Sequence, residues 1–396
     1  MKDKSIAIIG AGPVGLEAAL FAMERGYKFT VYERGRVADA VRQWGYVRMF
    51  SPFGMNTSSR GLARLQVRGC SLPHSDELLS GAEFRDRYLL PLGESLRPHL
   101  REGCFVQAIG RARRLKGDFI GQPQRDLAPF RLLLRDKNSE QVELAEIVLD
   151  CSGTFAQPKS LGEGIPVPGE RECSAHISRG MPMLGDDNLD RFAGKHVLVV
   201  GAGHSAATVI RDLAAMDGTK LFWMIRSARA VPILEVPNDS LPERARLTRA
   251  ANELVQSGRV RLLSGASIDR ITPSNDGMEV QWSDPVGRSH SLVVDEVVAA
   301  TGFRPDLELT RELQVQTCWA TEGTYPLAAS LLGEAGADCL ATPVFGAETL
   351  LHPEPSYFTL GMKSYGRSPN FLLRTGYEQV ASVFDWLERK METPLQ

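Results

Sequence analysis

Gly10, Gly12 and Gly15 fall in the stretch Gly10-Ala11-Gly12-Pro13-Val14-Gly15, a spacing that builds a phosphate site out of backbone alone. The first glycine permits a tight turn, the second lets the main chain approach a pyrophosphate, and the third lets a helix pack closely on a strand. The phosphate then meets free N–H groups and the positive end of the helix dipole. Glu33, with Arg34 beside it, follows at a spacing suited to accept hydrogen bonds from a ribose hydroxyl pair. A second loop, Gly201-Ala202-Gly203-His204-Ser205-Ala206, repeats the pattern with Ala in the third place. Its following strand ends not in an acid but in Arg226-Ser227, with Arg229 nearby. An acid would repel a 2′-phosphate, whereas a guanidinium can bind one through two hydrogen bonds and stack on adenine, so this loop is expected to take NADPH rather than NADH. A hydrolase nucleophile elbow at Gly203-His204-Ser205-Ala206 is a poor reading, since a glycine stands two residues earlier and no acid and histidine partners are evident.

Both loops need a strand before them and a helix after them, and the apolar patterning supplies these. Ser5 to Ile9 is a short buried-strand run, Pro13 to Arg25 has helical spacing of Leu16, Leu20 and Met23, and Lys28 to Glu33 is a second strand. His196 to Val200, Gly201 to Met216 and Leu221 to Ile225 echo that order. Between the two, Ala82 to Arg97 is expected to be helical and Cys104 to Arg113 a strand ending in a basic turn. Phe130 to Arg135 and Val142 to Leu149 are expected to form a hairpin about Asp136-Lys137-Asn138-Ser139. The Arg111 to Arg114 cluster is expected on a solvated hairpin edge. Further strands are expected at Arg259 to Leu263, Met278 to Trp282 and Val293 to Ala299, and an amphipathic helix from about Tyr377 to Lys390. Turn residues between Thr154 and Pro168 mark a crossing between domains.

Composition points to a small molecule as partner. The 396 residues are 43% hydrophobic and 24% charged, and 46 Lys and Arg against 48 Asp and Glu give a net charge of −2. That balance gives no reason to expect nucleic acid or an anionic membrane as partner. No run is long enough to span a bilayer, and Glu17 and several glycines interrupt the apolar N-terminal stretch, so a soluble chain without a signal peptide is expected. Six cysteines, Cys70, Cys104, Cys151, Cys173, Cys318 and Cys339, contain no C-x-x-C pair, and seven histidines show no metal spacing. A cytoplasmic protein with neither metal nor exchanging dithiol is expected.

Two dinucleotide sites in one chain suggest a hydride relay. A nicotinamide donates only hydride, while a flavin can take a hydride and then pass electrons singly or react with oxygen. Glu33 fits the adenosine ribose of FAD and Arg226 fits NADPH.

These residues resemble the flavoproteins with two dinucleotide-binding domains, and within them the flavin-containing and Baeyer–Villiger-type (class B) monooxygenases and related bacterial NAD(P)/FAD-dependent oxidoreductases. The matching stretches are Gly10 to Gly15 with Glu33, Leu149-Asp150-Cys151-Ser152-Gly153, Gly201 to Ala206, and Ala300-Thr301-Gly302-Phe303-Arg304-Pro305-Asp306. The resemblance implies an α/β fold of two Rossmann-like dinucleotide-binding domains: an FAD domain at 1–154 and 300–396, with an NADPH domain at 155–299 inserted. It places Gly153 and Gly302 at the two crossings, Trp44 near the flavin, Val106 at the adenine of FAD, and the helix after Arg374-Thr375-Gly376 with its N-terminus towards the isoalloxazine.

The implied activity is insertion of one oxygen atom from O2 into a small organic substrate through a flavin hydroperoxide. The fingerprint F-x-G-x-x-x-H-x-x-x-(F/W/Y) of those monooxygenases is not intact, since Val167-Pro168-Gly169 stands too far before His176 and Gly180 replaces the aromatic residue. A plain NAD(P)H-dependent flavin reductase and a redox-sensing flavoprotein therefore stay open, as does the oligomeric state. Lys363, in the loop Lys363-Ser364-Tyr365-Gly366-Arg367, and Arg60, after the Ser51 to Thr57 loop, are further candidates beside a flavin.

Overall fold

A computed structural model of the chain describes residues 4–137, 139–182, 190–275, 277–333, 340 and 345–392; Asn138 of the expected hairpin turn and Cys339 lie outside the described residues. Two compact units are present: Met1–Arg42, Ser51–Gln157 and Arg304–Gln396 form one, and Gln43–Phe50 with Pro158–Phe303 the other.

In the first unit, the described residues form a five-stranded parallel sheet ordered Tyr357–Thr359, Ile147–Asp150, Ser5–Ile9, Lys28–Glu33, Leu100–Glu102. Ser5–Ile9 lies at its centre, and its unbroken apolar run is what a parallel strand covered on both faces requires. Helix Pro13–Arg25 carries the crossover, with Pro at its first turn and Gly26 in the left-handed conformation (φ 73°) ending it. A three-stranded antiparallel sheet, Phe105–Arg111, Phe130–Arg135 and Glu140–Ala145, stands beside the parallel one.

The second unit repeats this plan. Its parallel sheet is ordered Val260–Ser264, Lys220–Ile225, His196–Val200, Glu296–Ala299, Ile177–Arg179, and its antiparallel sheet Ser267–Ser274, Gly277–Ser283, Ser289–Val294. The α/β, Rossmann-like class expected from the two glycine loops is the class observed. Among the described residues no helix is long and apolar enough to cross a membrane.

Several local expectations need correction. The run Val142 to Leu149 is two strands in two different sheets, broken at Glu146. There the Glu146 N–H donates to the Ser5 carbonyl at 3.0 Å, and its carboxylate accepts from the Ser5 N–H at 2.7 Å. Val293 to Ala299 breaks in the same way at Asp295, whose N–H donates to the His196 carbonyl at 2.9 Å and whose carboxylate accepts from the His196 N–H at 2.8 Å. In each unit one acid ends the hairpin and starts the strand that pairs with the centre of the parallel sheet. Ala82 to Arg97 is helical in pieces, Gly81–Phe84 and Leu90–Ser95 joined by a π turn at Arg85–Leu89. Arg111 is not on a solvated edge. It is buried, donating to Glu354 at 2.7 Å and to the Ala128 carbonyl at 2.6 Å, with its guanidinium 3.6 Å over the Phe130 ring. The C-terminal helix starts earlier than expected, at Leu373, and runs to Glu392.

Candidate functional site

The first glycine loop turns between strand Ser5–Ile9 and helix Pro13–Arg25. Gly10 has φ 96° and donates its N–H to the Tyr32 carbonyl at 2.8 Å. A Cβ at Gly10 would lie 2.8 Å from the Cys151 carbonyl oxygen, and one at Gly15 would lie 1.9 Å from the Gly10 oxygen, so both positions are closed to a side chain. A Cβ at Gly12 would meet nothing within 4 Å: the second glycine faces open space, as a backbone approached by a pyrophosphate must. Pro13 occupies the first helical position, and Val14 packs where a Cβ on Gly361 or Gly376 would stand 3.1 Å or 2.6 Å from its methyl. Gly376 thus lets the C-terminal helix approach the first turn of helix Pro13–Arg25.

Glu33 ties the loop down. One carboxylate oxygen accepts from the Ala11 N–H and the other from the Gly35 N–H, each at 2.8 Å. Burial pushes its carboxyl above the ordinary range against the pull of those two N–H groups and of Arg34. Each oxygen keeps a lone pair beyond the bond it makes to the backbone, so the ribose role expected for Glu33 is compatible with its loop contacts.

Behind this loop lies a polar network that periodicity does not reveal. Asp150 is fully buried at the end of strand Ile147–Asp150 and accepts from the Lys363 ammonium at 2.6 Å, the Tyr357 hydroxyl at 2.7 Å and the Ser152 hydroxyl at 2.6 Å. Burial alone would raise the Asp150 carboxyl; Lys363 and the two hydroxyls outweigh it and hold the group below its ordinary value. Lys363 also donates to the Ser152 hydroxyl at 3.1 Å. The next residue, Gly153, is left-handed (φ 68°), and a Cβ there would meet nothing within 4 Å. Arg60 is engaged elsewhere: it pairs with Glu24 and Glu17 and stacks 3.6 Å over the Phe21 ring. The Ser51 to Thr57 loop is packed through buried Phe53 and Asn56, with Gly54 and Met55 exposed between them.

The second loop has the same build. Gly201 (φ 137°) donates to the Met224 carbonyl at 3.0 Å, a Cβ on it would meet the Ala300 oxygen at 2.3 Å, and a Cβ on Gly203 would meet nothing within 4 Å. His204 opens helix His204–Ala214, Ser205 is exposed on its first turn and Ala206 is buried beneath it. Gly302 (φ 82°) matches Gly153. Trp223, fully buried, donates its indole N–H to the Gly201 carbonyl at 2.7 Å, a loop anchor that sequence reasoning missed. Arg226 is exposed and lines a cleft of about 440 Å³ with Gly265, Ala266 and Ser267, at the carboxyl ends of two neighbouring parallel strands. That edge is where open α/β sheets hold ligands.

Val106 and Trp44, both placed by resemblance, lie in different units. Val106 is buried in the core of the first unit with Ala7, Ile9 and Tyr32, beside a register shift between Val106 and Ala108. Trp44 lies in the Gln43–Phe50 segment, which clusters with the second unit; there Tyr46 donates to Asp212 at 2.8 Å and the Phe50 ring stands 5.5 Å from that of His204.

A duplicated dinucleotide fold with two open glycine cradles defines a two-nucleotide oxidoreductase. Residues 125–323, half the chain, match the family described as pyridine nucleotide-disulphide oxidoreductase, and the chain belongs to that family. It is 21% identical over 300 residues to a 4-hydroxybenzoate brominase (decarboxylating) of Pseudoalteromonas luteoviolacea, covering 74% of this chain and 53% of that protein. It is 29% identical over 224 residues to the indole-3-pyruvate monooxygenase YUCCA1 of Oryza sativa subsp. japonica, covering 56% and 47%. The chain thus spans about half the length of these curated relatives. Among solved structures it is similar to the bacillithiol disulfide reductase Bdr (YpdA) of Bacillus cereus, with TM-score 0.70, 16% identity and 98% and 99% of the two chains covered. The ornithine N-hydroxylase of Kutzneria sp. 744 gives TM-score 0.66 at 16% identity, covering 98% and 100%. At these identities the structural likeness is one of fold. The chain is a flavoprotein oxidoreductase.

Proposed function

We propose that this chain is an FAD-dependent, NADPH-using monooxygenase that inserts one oxygen atom of O2 into a small organic substrate. The observation that carries the cofactor assignment is the pair of cradles in one register that differ at the ribose end by a carboxylate: Glu33 and Arg34 in the first, Ile225 and Arg226 in the second. Gly12, Gly153 and Gly203 leave room where the backbone must meet a dinucleotide. Gly10 to Gly15 and the helix N-terminus hold the pyrophosphate of FAD, with Glu33 on its adenosine ribose. Gly201 to Ala206 hold the pyrophosphate of NADPH and Arg226 its 2′-phosphate. A bound flavin takes two electrons from reduced nicotinamide and can hand them to oxygen. The sequence holds no C-x-x-C pair, and among the described residues Cys70, Cys104, Cys151, Cys173 and Cys318 are free thiols, which supports an electron acceptor other than a C-x-x-C dithiol. Cys151, whose side chain lies against Gly15 of the first cradle, is buried and its pKa is pushed well up by that burial. The likeness to monooxygenases of known sequence supports oxygen as acceptor.

A second reading, an NAD(P)H-dependent flavin reductase for a small acceptor, is favoured by the similarity to bacillithiol disulfide reductase. One assay separates the two. The purified protein is expected to be yellow, and NADPH oxidation is followed under air and under argon with oxygen uptake recorded. Oxygen-dependent turnover that incorporates an oxygen atom into product supports the monooxygenase. Turnover under argon with an added disulfide or quinone supports the reductase, and a colourless protein that does not take up FAD ends both.

A further inference from the structure

The first unit buries an ion pair where the second unit has an apolar residue. Strand pairing sets Ile9 opposite Asp150 and Val200 opposite Ala299, so Asp150-Cys151-Ser152-Gly153 and Ala299-Ala300-Thr301-Gly302 are equivalent turns under equivalent glycine loops. Ala299 sits in an apolar cluster with Val200 and Val297. Asp150 sits in the same place with Lys363, Tyr357 and Ser152 around it. The fold therefore does not require a charge at this position. Nor does stability explain one, because the cost of desolvating a buried pair commonly cancels its attraction relative to packed apolar side chains.

The pair is rigidly mounted. Lys363 lies between Gly361 (φ 69°) and Gly366 (φ 66°). The Gly361 N–H donates to Gln379 at 2.8 Å, the Gln379 amide donates to Ser364 at 2.9 Å, and the Ser364 hydroxyl donates to the Gly361 carbonyl at 2.7 Å. The ammonium reaches Ser152. That residue is flanked by Cys151, whose carbonyl faces Gly10, and by Gly153, whose backbone faces open space. Two of the three ammonium hydrogens go to Asp150 and Ser152.

Resting on the reading of residues 10–15 as the flavin dinucleotide site, we infer that Asp150 and Lys363 are positioning residues of that site. Asp150 fixes the ammonium, and the ammonium fixes the Ser152–Gly153 turn and places a positive group beside the anionic dinucleotide. The second turn carries Ala299 and Thr301 in the places of Asp150 and Ser152, so no carboxylate stands at that strand end, although the Lys159 ammonium lies 3.8 Å from where a Cβ on Gly302 would stand. The NADPH affinity of the second cradle is an internal control for the Asp150–Lys363 pair.

The test strips flavin from the holoenzyme and retitrates it with FAD by fluorescence quenching. Two double variants are compared with the wild type: D150A/K363M, which copies the apolar second unit, and D150N/K363Q, which keeps hydrogen-bonding groups but removes both charges. FAD affinity is expected to fall at least tenfold in both, with NADPH affinity within twofold of wild type. An FAD affinity within threefold of wild type in either folded variant overturns the inference. If D150A/K363M does not fold, the D150N/K363Q result decides alone. A wild-type protein that does not rebind FAD overturns the flavin reading itself, a separate and distinguishable failure.

Discussion

Ile225 occupies in the second unit the place that Glu33 holds in the first. The glycine N–H that opens each loop donates to Tyr32 in one and Met224 in the other, so Glu33 matches Ile225 and Arg34 matches Arg226. The arginine is common to both frames, and the difference is the carboxylate. Where Glu33 braces its loop and offers lone pairs to a ribose, the second frame offers an apolar side chain and an exposed guanidinium, in a cleft that Glu163, Asp269 and Asp284 also line.

Arg226→Ala is therefore expected to weaken NADPH by about 10- to 100-fold, the loss of one or two charge-assisted hydrogen bonds worth about 1.5–3 kcal/mol. NADH should change by no more than about twofold, since it lacks the phosphate. Steady-state kcat/KM for both nucleotides checks this, and equal losses for NADPH and NADH would remove the assignment.

The glycines divide into those that fold the loop and those that admit a ligand. A methyl at Gly15 would stand 1.9 Å from a carbonyl oxygen, so Gly15→Ala is expected to lower Tm or abolish folding. Gly12→Ala and Gly203→Ala meet nothing within 4 Å and have φ values that alanine accepts, so their stability should stay near wild type. Each should instead lose affinity for one nucleotide, FAD for Gly12→Ala and NADPH for Gly203→Ala. Thermal melts with and without each nucleotide separate the two classes. A Gly12→Ala protein that binds FAD normally would remove the cradle from the proposed site.

Much of this was legible in the residues, and the reason is that strand-turn-helix units are local. Glycine spacing, the apolar run before it and the helical period after it all lie within about twenty-five residues, and both units were read in that way. What escaped depends on partners far along the chain. Glu146 breaks an apolar run because Ser5, 141 residues away, supplies its partner groups. Arg111 is buried because Glu354 meets it across 243 residues, and Asp150 meets Lys363 across 213. Charge near a turn reads as solvated in sequence; only the fold shows which carboxylate neutralises it.

Glu17 gives a test by pH. It is buried on helix Pro13–Arg25 and accepts from the Ser58 hydroxyl at 2.5 Å; burial raises its carboxyl above 4.5, with Ser58 and Arg60 opposing. Between 4.5 and that raised value the folded chain holds a proton the unfolded chain has lost. The contribution is thus fully present below 4.5 and is lost as pH rises through the folded value. Glu17→Gln removes the titration, so the gain in stability on going from pH 7 towards pH 4.5 should be smaller in the variant than in wild type. Urea unfolding across that interval measures it, and parallel curves for the two proteins would contradict the assignment.

Trp223 tests whether a buried anchor tunes a nucleotide site without touching the nucleotide. Its indole N–H donates to the Gly201 carbonyl at 2.7 Å, and Phe in its place keeps most of the packed volume while leaving that oxygen without this donor. A buried acceptor that loses its partner costs about 1–3 kcal/mol. Part of that cost falls on global stability, and part is relieved by movement of the loop that should hold the NADPH pyrophosphate. Trp223→Phe is therefore expected to lower Tm by a few degrees and to raise the Kd for NADPH several-fold, with FAD affinity unchanged because Glu33 braces the other loop independently. Titration of both nucleotides against the same preparation is decisive: equal weakening of FAD and NADPH would mean that the indole stabilises the whole protein rather than the second loop.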